Sequence, residues 1–209
     1  MCCRYYMEMS PELRPYVEAA TGSRLGKKMI DRLGKPLVTK GEVCPTDMVP
    51  VIAPNKEGER TVFPMIWGFN VTGLDKPVIN ARVETASEKK SFKEAWTGRR
   101  CVIPASWYFE WKHLKGPEGS SVTKEKYAMQ PPGASITYLA GIYRLQEYRD
   151  LKYPVFTVLT REPGEELKKI HDRMPLILPE SAIDEWIDPK MKAEDVIGKS
   201  VTEMVIEKV

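Results

Sequence analysis

The chain has 209 residues, 42% of them hydrophobic and 29% charged. That balance suits a globular protein large enough to bury a core as one domain. The net charge of +3 is too small to imply nucleic acid by itself, no apolar run approaches the ~20 residues of a membrane span, and the first residues lack the basic and apolar regions of a secretory leader.

The predicted elements follow in chain order. "SPELRPYVEAA" reads as a helix, with Ser10 as its cap and Pro11 at the first helical position. "TKGEVCPTDMVPVIAP" is broken by proline and glycine into loop and short strands, and "RTVFPMIWGF" leads into a strand or turn near Trp67-Gly68. "KPVINARVETAS" alternates, with Ile79, Ala81 and Val83 on one face and Asn80, Arg82 and Glu84 on the other. "SEKKSFKEAW" has helical spacing at Phe92 and Trp96, with Ser87 as cap. In "RRCVIPASWYFEW" Pro104 allows an edge strand, a bulge or two shorter strands. "KGPEGSS" is a turn, and "EKYAMQP", "ASITYLAGIYRL" and "YPVFTVLT" are strands. "EPGEELKKI" and "PESAIDEWI" are short helices. No repeat, linker or composition break divides the chain. The expected fold is a single α+β domain over residues 1–209, with a mostly antiparallel, barrel-like β core and peripheral short helices.

Cys2, Cys3, Cys44 and Cys101 form no C-x-x-C pair, and the two histidines are far apart in sequence. Reduced thiols are expected, with no metal site and no cofactor. Cys2 raises a further question. If Met1 is removed, Cys2 becomes a 1,2-aminothiol whose amine, with a pKa of about 7.7–8.0, and thiol, about 8.5, are both nucleophilic near neutrality. The amine can condense with an aldehyde and the thiol can close a thiazolidine ring on the imine. The plainer alternative is an incidental cysteine at the second position. Glu110 sits within "WYFEW"; on a strand it shares a face with Ser106 and Tyr108, and aromatic surroundings would raise its pKa toward general acid/base use. Alternatively it is a solvent-facing strand residue. His171 is either a proton shuttle or a helix-terminal histidine facing the dipole, and His113 reads as surface. Asn80 can orient a reacting amine or sugar and Arg82 can bind phosphate, unless Arg82 and Glu84 form a surface ladder.

Together, Met1-Cys2 with Arg4, Trp67-Gly68, "NAR-ET" from Asn80 to Thr85, "RC-IPA" leading to Glu110-Trp111, and "H-RMP" from His171 to Pro175 resemble the SOS response-associated peptidase family over nearly the whole chain. The resemblance implies recognition of abasic sites in single-stranded DNA and a covalent thiazolidine crosslink at a mature N-terminal Cys2, with lyase activity by arrest at the imine. It implies Asn80, Glu110 and His171 as catalytic partners of Cys2. It implies Arg4 and Arg82 at phosphates, Trp67 beside the DNA channel, and Thr160 lining the site. Three departures stand out: Cys3 where the family usually has glycine, Ser106-Trp107 where Asp-Gly is common, and "AGIY" at Ala140–Tyr143 in place of "AGLW". The competing functions are a cysteine-type peptidase, acting on others or on its own N-terminus, and a non-catalytic single-strand binding module. A monomer is expected, without membrane association, in the cytoplasm of a bacterium near its nucleoid or in a eukaryotic nucleus.

Overall fold

A computed structural model describes residues 3–114 and 123–209; Cys2 and the predicted "KGPEGSS" turn lie outside the described residues. The chain opens with strand β1 (Arg4–Met7). Ser10 caps a tight turn instead of a helix, its Oγ accepting from Leu13 N–H at 3.3 Å and its carbonyl from Arg14 N–H at 3.0 Å. Helix α1 (Arg14–Gly22) therefore starts later than expected, with Pro15 in place of Pro11 in its first turn. Helix α2 (Arg24–Leu33) was not expected at all. Its signals are present in the sequence: Ser23 caps it by accepting from Gly26 N–H at 2.9 Å, and Gly34 ends it at φ 64°.

Strands β2 (Gly41–Val43), β3 (Met48–Pro54), β4 (Arg60–Trp67) and β5 (Asn80–Arg82) follow. The alternation expected through Glu84 stops at Arg82, because helix α3 (Val83–Ala86) begins at the next residue. Glu84 thus leaves the strand face, and Ser87 ends α3 instead of opening the next helix. Helix α4 (Lys93–Gly98) buries Trp96, with Phe92 buried at its cap. The long aromatic stretch becomes two strands, β6 (Arg100–Ala105) and β7 (Trp107–Leu114), broken at Ser106. Then come β8 (Thr123–Gln130), β9 (Thr137–Tyr148), β10 (Leu151–Arg161), α5 (Glu165–Lys168), β11 (Met174–Pro175), β12 (Ile177–Leu178), α6 (Ile183–Ile187), α7 (Ala193–Ile197) and β13 (Val205–Lys208).

Strands β10, β4, β3, β6 and β9 close into a barrel, since β9 also pairs with β10. Each neighbour is antiparallel except β10 with β4. Closure explains the near-continuous apolar runs: every residue of β6 is buried. Gly141 on β9 marks a close crossing, where a Cβ would lie 2.8 Å from Ile103 Cδ1 and 2.9 Å from Thr157 O. A second sheet, in the order β13-β8-β7-β1-β2, leans on the barrel. Ser106 N–H donates to Tyr6 O at 2.8 Å where β6 hands over to β7. The mixed α+β architecture, barrel and short helices agree with the expectation. Among the described residues no helix is long and apolar enough to cross a membrane.

Candidate active site

The site is organised by β1, which lies between β2 and β7 with Arg4 opposite Phe109 and Tyr5 opposite Tyr108. Cys3, just before this strand, is half-buried and shares a pocket of about 260 Å³ with Arg4, Glu110 and His171; Trp111, His113 and Lys124 complete the lining. His113 is exposed, as expected, but it sits at this pocket.

Glu110 faces inward from β7 and is only 1% exposed. Burial raises its pKa to about 7, and the charge of Asp172 adds to the rise. His171 lies just beyond α5, with Nε2 3.9 Å from Glu110 Oε2. Burial pushes the His171 pKa down. Its Nδ1 accepts from Arg173 N–H at 3.1 Å, so the ring proton sits on Nε2, toward Glu110. Asp172 Oδ1 stands 2.9 Å from the same Nδ1. One ring nitrogen cannot accept from an amide and donate to a carboxylate together, and the hydrogen-bonded amide is the partner fixed by backbone. A carboxyl raised to neutrality beside a neutral imidazole can pass protons at physiological pH. Burial also pushes up the Cys3 thiol, and the Glu110 charge adds to it.

Arg4 Nη1 donates to Cys3 O at 2.8 Å, and its Nε lies 3.2 Å from Glu42 Oε1. Asn80 and Arg82 sit on β5, which pairs with the end of β10: Asn80 opposite Val158 and Arg82 opposite Thr160. Arg82 is exposed and Asn80 partly buried.

Two residues that the resemblance places beside the DNA are buried. Trp67 is fully buried, packed between Tyr5 and Phe156 with ring centroids at 5.4 and 6.1 Å, so no base reaches its face. Its indole N–H donates to Ile79 O at 2.9 Å, which anchors the residue before Asn80. Thr160 is also fully buried; its hydroxyl donates to Ala81 O at 3.4 Å, tying β10 to β5. Both side chains are used up inside the protein and act as supports.

A residue pair the sequence did not single out joins the two halves. Arg173, 7% exposed, forks onto Glu84 through Nη1–Oε1 at 2.9 Å and Nη2–Oε2 at 2.8 Å, and also donates to Thr160 O at 2.6 Å. The alternative of an Arg82–Glu84 ladder does not form as an ion pair, because Glu84 turns to Arg173 and Arg82 acts on it only through its charge. The helix after Asn80–Arg82 is thereby fastened to the turn that carries His171. Among the described residues no group of three or more His, Cys, Asp or Glu is placed to hold a metal ion.

Residues 1–208 match the sequence profile described as SOS response associated peptidase (SRAP). The abasic site processing protein YoaM of Bacillus subtilis (strain 168) is 37% identical over 122 residues, 57% of this chain and 51% of that protein. The abasic site processing protein YedK of Escherichia coli (strain K12) is 32% identical over 142 residues, 68% of this chain and 59% of that protein. The matches to these curated relatives thus span little more than half of their length. A crystal structure of a protein from Bacteroides thetaiotaomicron superposes with a TM-score of 0.75 at 21% identity, covering 100% of this chain and 92% of that one, which is a likeness of fold.

Proposed function

The chain belongs to the SOS response-associated peptidase family, and on that premise we propose that it captures abasic sites in single-stranded DNA by a covalent bond to Cys2. The names of its relatives, abasic site processing proteins, support the substrate. The observation that carries the chemistry is the buried Glu110 facing His171 at 3.9 Å, in a pocket that also holds Cys3, the neighbour of Cys2.

The steps follow from the groups present. Loss of Met1 frees the Cys2 amine. The opened abasic sugar presents an aldehyde, and the amine adds to its carbonyl carbon. The neutral Glu110 carboxyl donates a proton to the departing hydroxyl, so the imine forms with release of water. The Cys2 sulfur then bonds to the imine carbon and its proton passes to the nitrogen, closing the thiazolidine. Asn80 orients the amine. His171, with its proton on Nε2, aids sugar opening and exchanges protons with Glu110. Arg4 and Arg82 hold phosphates flanking the lesion. Arrest at the imine would let the strand break by β-elimination, which is the lyase side reaction.

Mass spectrometry of the protein with a single-stranded oligonucleotide carrying one abasic site tests this reading. The expected product weighs the sum of the two less one water and survives heating. Cleavage of an added peptide with no adduct would replace it by the peptidase reading, and salt-sensitive binding alone by the binding-module reading.

A further inference from the structure

We propose that Glu84 is a positioning residue that selects the tautomer of His171, acting through Arg173. This deepens the reading of Glu110 and His171 as a proton-transfer pair and rests on it for its functional consequence. Glu84 touches neither residue, and its chain position, at the second residue of α3, lies far from His171 in sequence. The connection is the Arg173 guanidinium. Its fork onto Glu84 and its bond to Thr160 O leave the side chain almost no freedom, and its Nε has no hydrogen-bond partner among the described residues. The fork is therefore the main tie on a nearly buried cation, with Thr160 O as its second.

Partial burial pushes the Glu84 carboxyl up, but the Arg173 hydrogen bonds outweigh this and hold it below the usual range. Its side chain is 46% exposed, so the carboxylate is a tether on the rim more than a core group.

The same residue, Arg173, supplies the backbone N–H that His171 Nδ1 accepts at 3.1 Å. Strand β11 begins at the next residue and pairs with β10, Arg161 opposite Met174 and Thr160 opposite Pro175. Fixing the Arg173 side chain against α3 and β10 thus fixes its amide. The competitor is already in place, because Asp172 Oδ1 lies 2.9 Å from Nδ1. If the Arg173 amide draws back, the Asp172 carboxylate captures a proton on Nδ1. The imidazole then presents a bare Nε2 to Glu110, and the direction of proton donation between the two is reversed. Glu84 decides between two states that differ by one ring proton.

The chain has 2 histidines, so the ring nitrogens can be read directly by long-range ¹H–¹⁵N NMR, without DNA, at a pH where both rings are neutral. Wild type should show His171 protonated on Nε2. Glu84→Gln should move most of the population to Nδ1–H. Adding Asp172→Asn, which offers an amide N–H to Nδ1 in place of a carboxylate, should restore Nε2–H. At saturating abasic DNA, Glu84→Gln should slow crosslinking about ten- to hundredfold, as small misplacements do, with half-saturation unchanged and the double variant recovering. Arg173→Lys keeps the charge and loses the fork, and gives the same readout if Glu84→Gln does not fold. An Nδ1–H tautomer in wild type overturns the proposal, as does an unshifted tautomer in Glu84→Gln. A double variant that stays on Nδ1–H overturns the competition with Asp172. Because the tautomer is read without DNA, its failure is separate from a failure of wild type to form an adduct.

Discussion

One face of β7 buries Tyr108 and Glu110, with Ser106 buried just before the strand, while on the other face Phe109 is buried but Trp107 and Trp111 stay partly exposed. An ordinary amphipathic strand does the reverse, because hiding a carboxylate costs free energy and hiding an indole gains it. The buried face bears that cost as a raised pKa, which keeps Glu110 partly protonated at neutrality. The open face has a different task. Trp107 stacks on Tyr6 of β1 at 4.7 Å and 2°, and Lys126 Nζ stands 3.8 Å over the Phe109 ring. Glu42 on β2 holds Lys126 at 2.8 Å and Arg4 at 3.2 Å. These contacts clamp β1, whose leading end carries Cys3 to the pocket. The aromatic face holds the strand, and the polar face carries the chemistry.

That division is tested most severely at the nucleophile. Cys2→Ser keeps the amine and loses the thiol, so the heat-stable adduct should vanish, leaving an imine that borohydride traps. A stable adduct from this variant would assign the reacting sulfur elsewhere. Cys3→Gly should leave crosslinking intact, and its loss would show that the wrong cysteine was named.

Glu110→Gln comes next. Positioned acid/base groups contribute about 10²–10⁴-fold, and the crosslinking rate should fall within that range while affinity for intact single-stranded DNA holds. The same variant changes stability in a pH-dependent way. Glu110 has a pKa of about 7 when folded and about 4.3 when unfolded. The folded protein therefore binds more protons than the unfolded chain between these values, and stability falls as pH rises through them. Below about 4.3 both states are protonated and the penalty disappears. Well above 7 it approaches about 4 kcal/mol. Glutamine does not titrate, so the stability of Glu110→Gln relative to wild type should rise between pH 5 and pH 8. Denaturant midpoints at the two pH values measure it, and a pH-independent difference would mean that the carboxyl is not held protonated.

A smaller effect is expected at the exposed Arg82. Arg82→Ala should reduce the slope of log K against log salt by roughly 0.7, the value for one phosphate on a single strand. An unchanged slope would remove Arg82 from the binding surface.

Much of this was legible in the sequence. The alternation in "WYFEW" put Tyr108 and Glu110 on one face of β7, and both are buried, although Phe109 on the other face is buried too. The stretch does form two shorter strands, but the break falls at Ser106, and Pro104 lies inside β6 opposite Tyr138. The errors have local causes. Ser10 with Pro11 resembles a helix start, yet Ser10 closes a turn and Pro15 begins the helix. Helix α2 was overlooked because Arg24, Lys27, Lys28 and Arg32 mask the apolar spacing of Leu25, Met29 and Leu33. Trp67 and Thr160 were placed at DNA by resemblance alone, and only packing reveals that Ile79 O and Ala81 O occupy their donors. The Glu84–Arg173 fork spans 89 residues and depends on β10 lying between β5 and β11. No local pattern encodes a contact of that range.

The smallest functional effect should come from the open face of β7. Trp107→Ala removes the stack on Tyr6, a contribution of about 0.5–1.5 kcal/mol beyond area burial. In a chain of this size 1 kcal/mol corresponds to about 2–4 °C in Tm, so a loss of a few degrees is expected. Glu110, His171 and the Arg173 fork are untouched, and Arg4 with Glu42 still restrains β1. At saturating abasic DNA the crosslinking rate should therefore stay within about twofold of wild type, far outside the range of an acid/base residue. Calorimetry alongside a single-turnover time course decides the matter. A rate that falls as in Glu110→Gln with Tm unchanged would make Trp107 part of the reaction and end the division of labour between the two faces. A lower Tm at constant rate would place the whole contribution of Trp107 in holding β1.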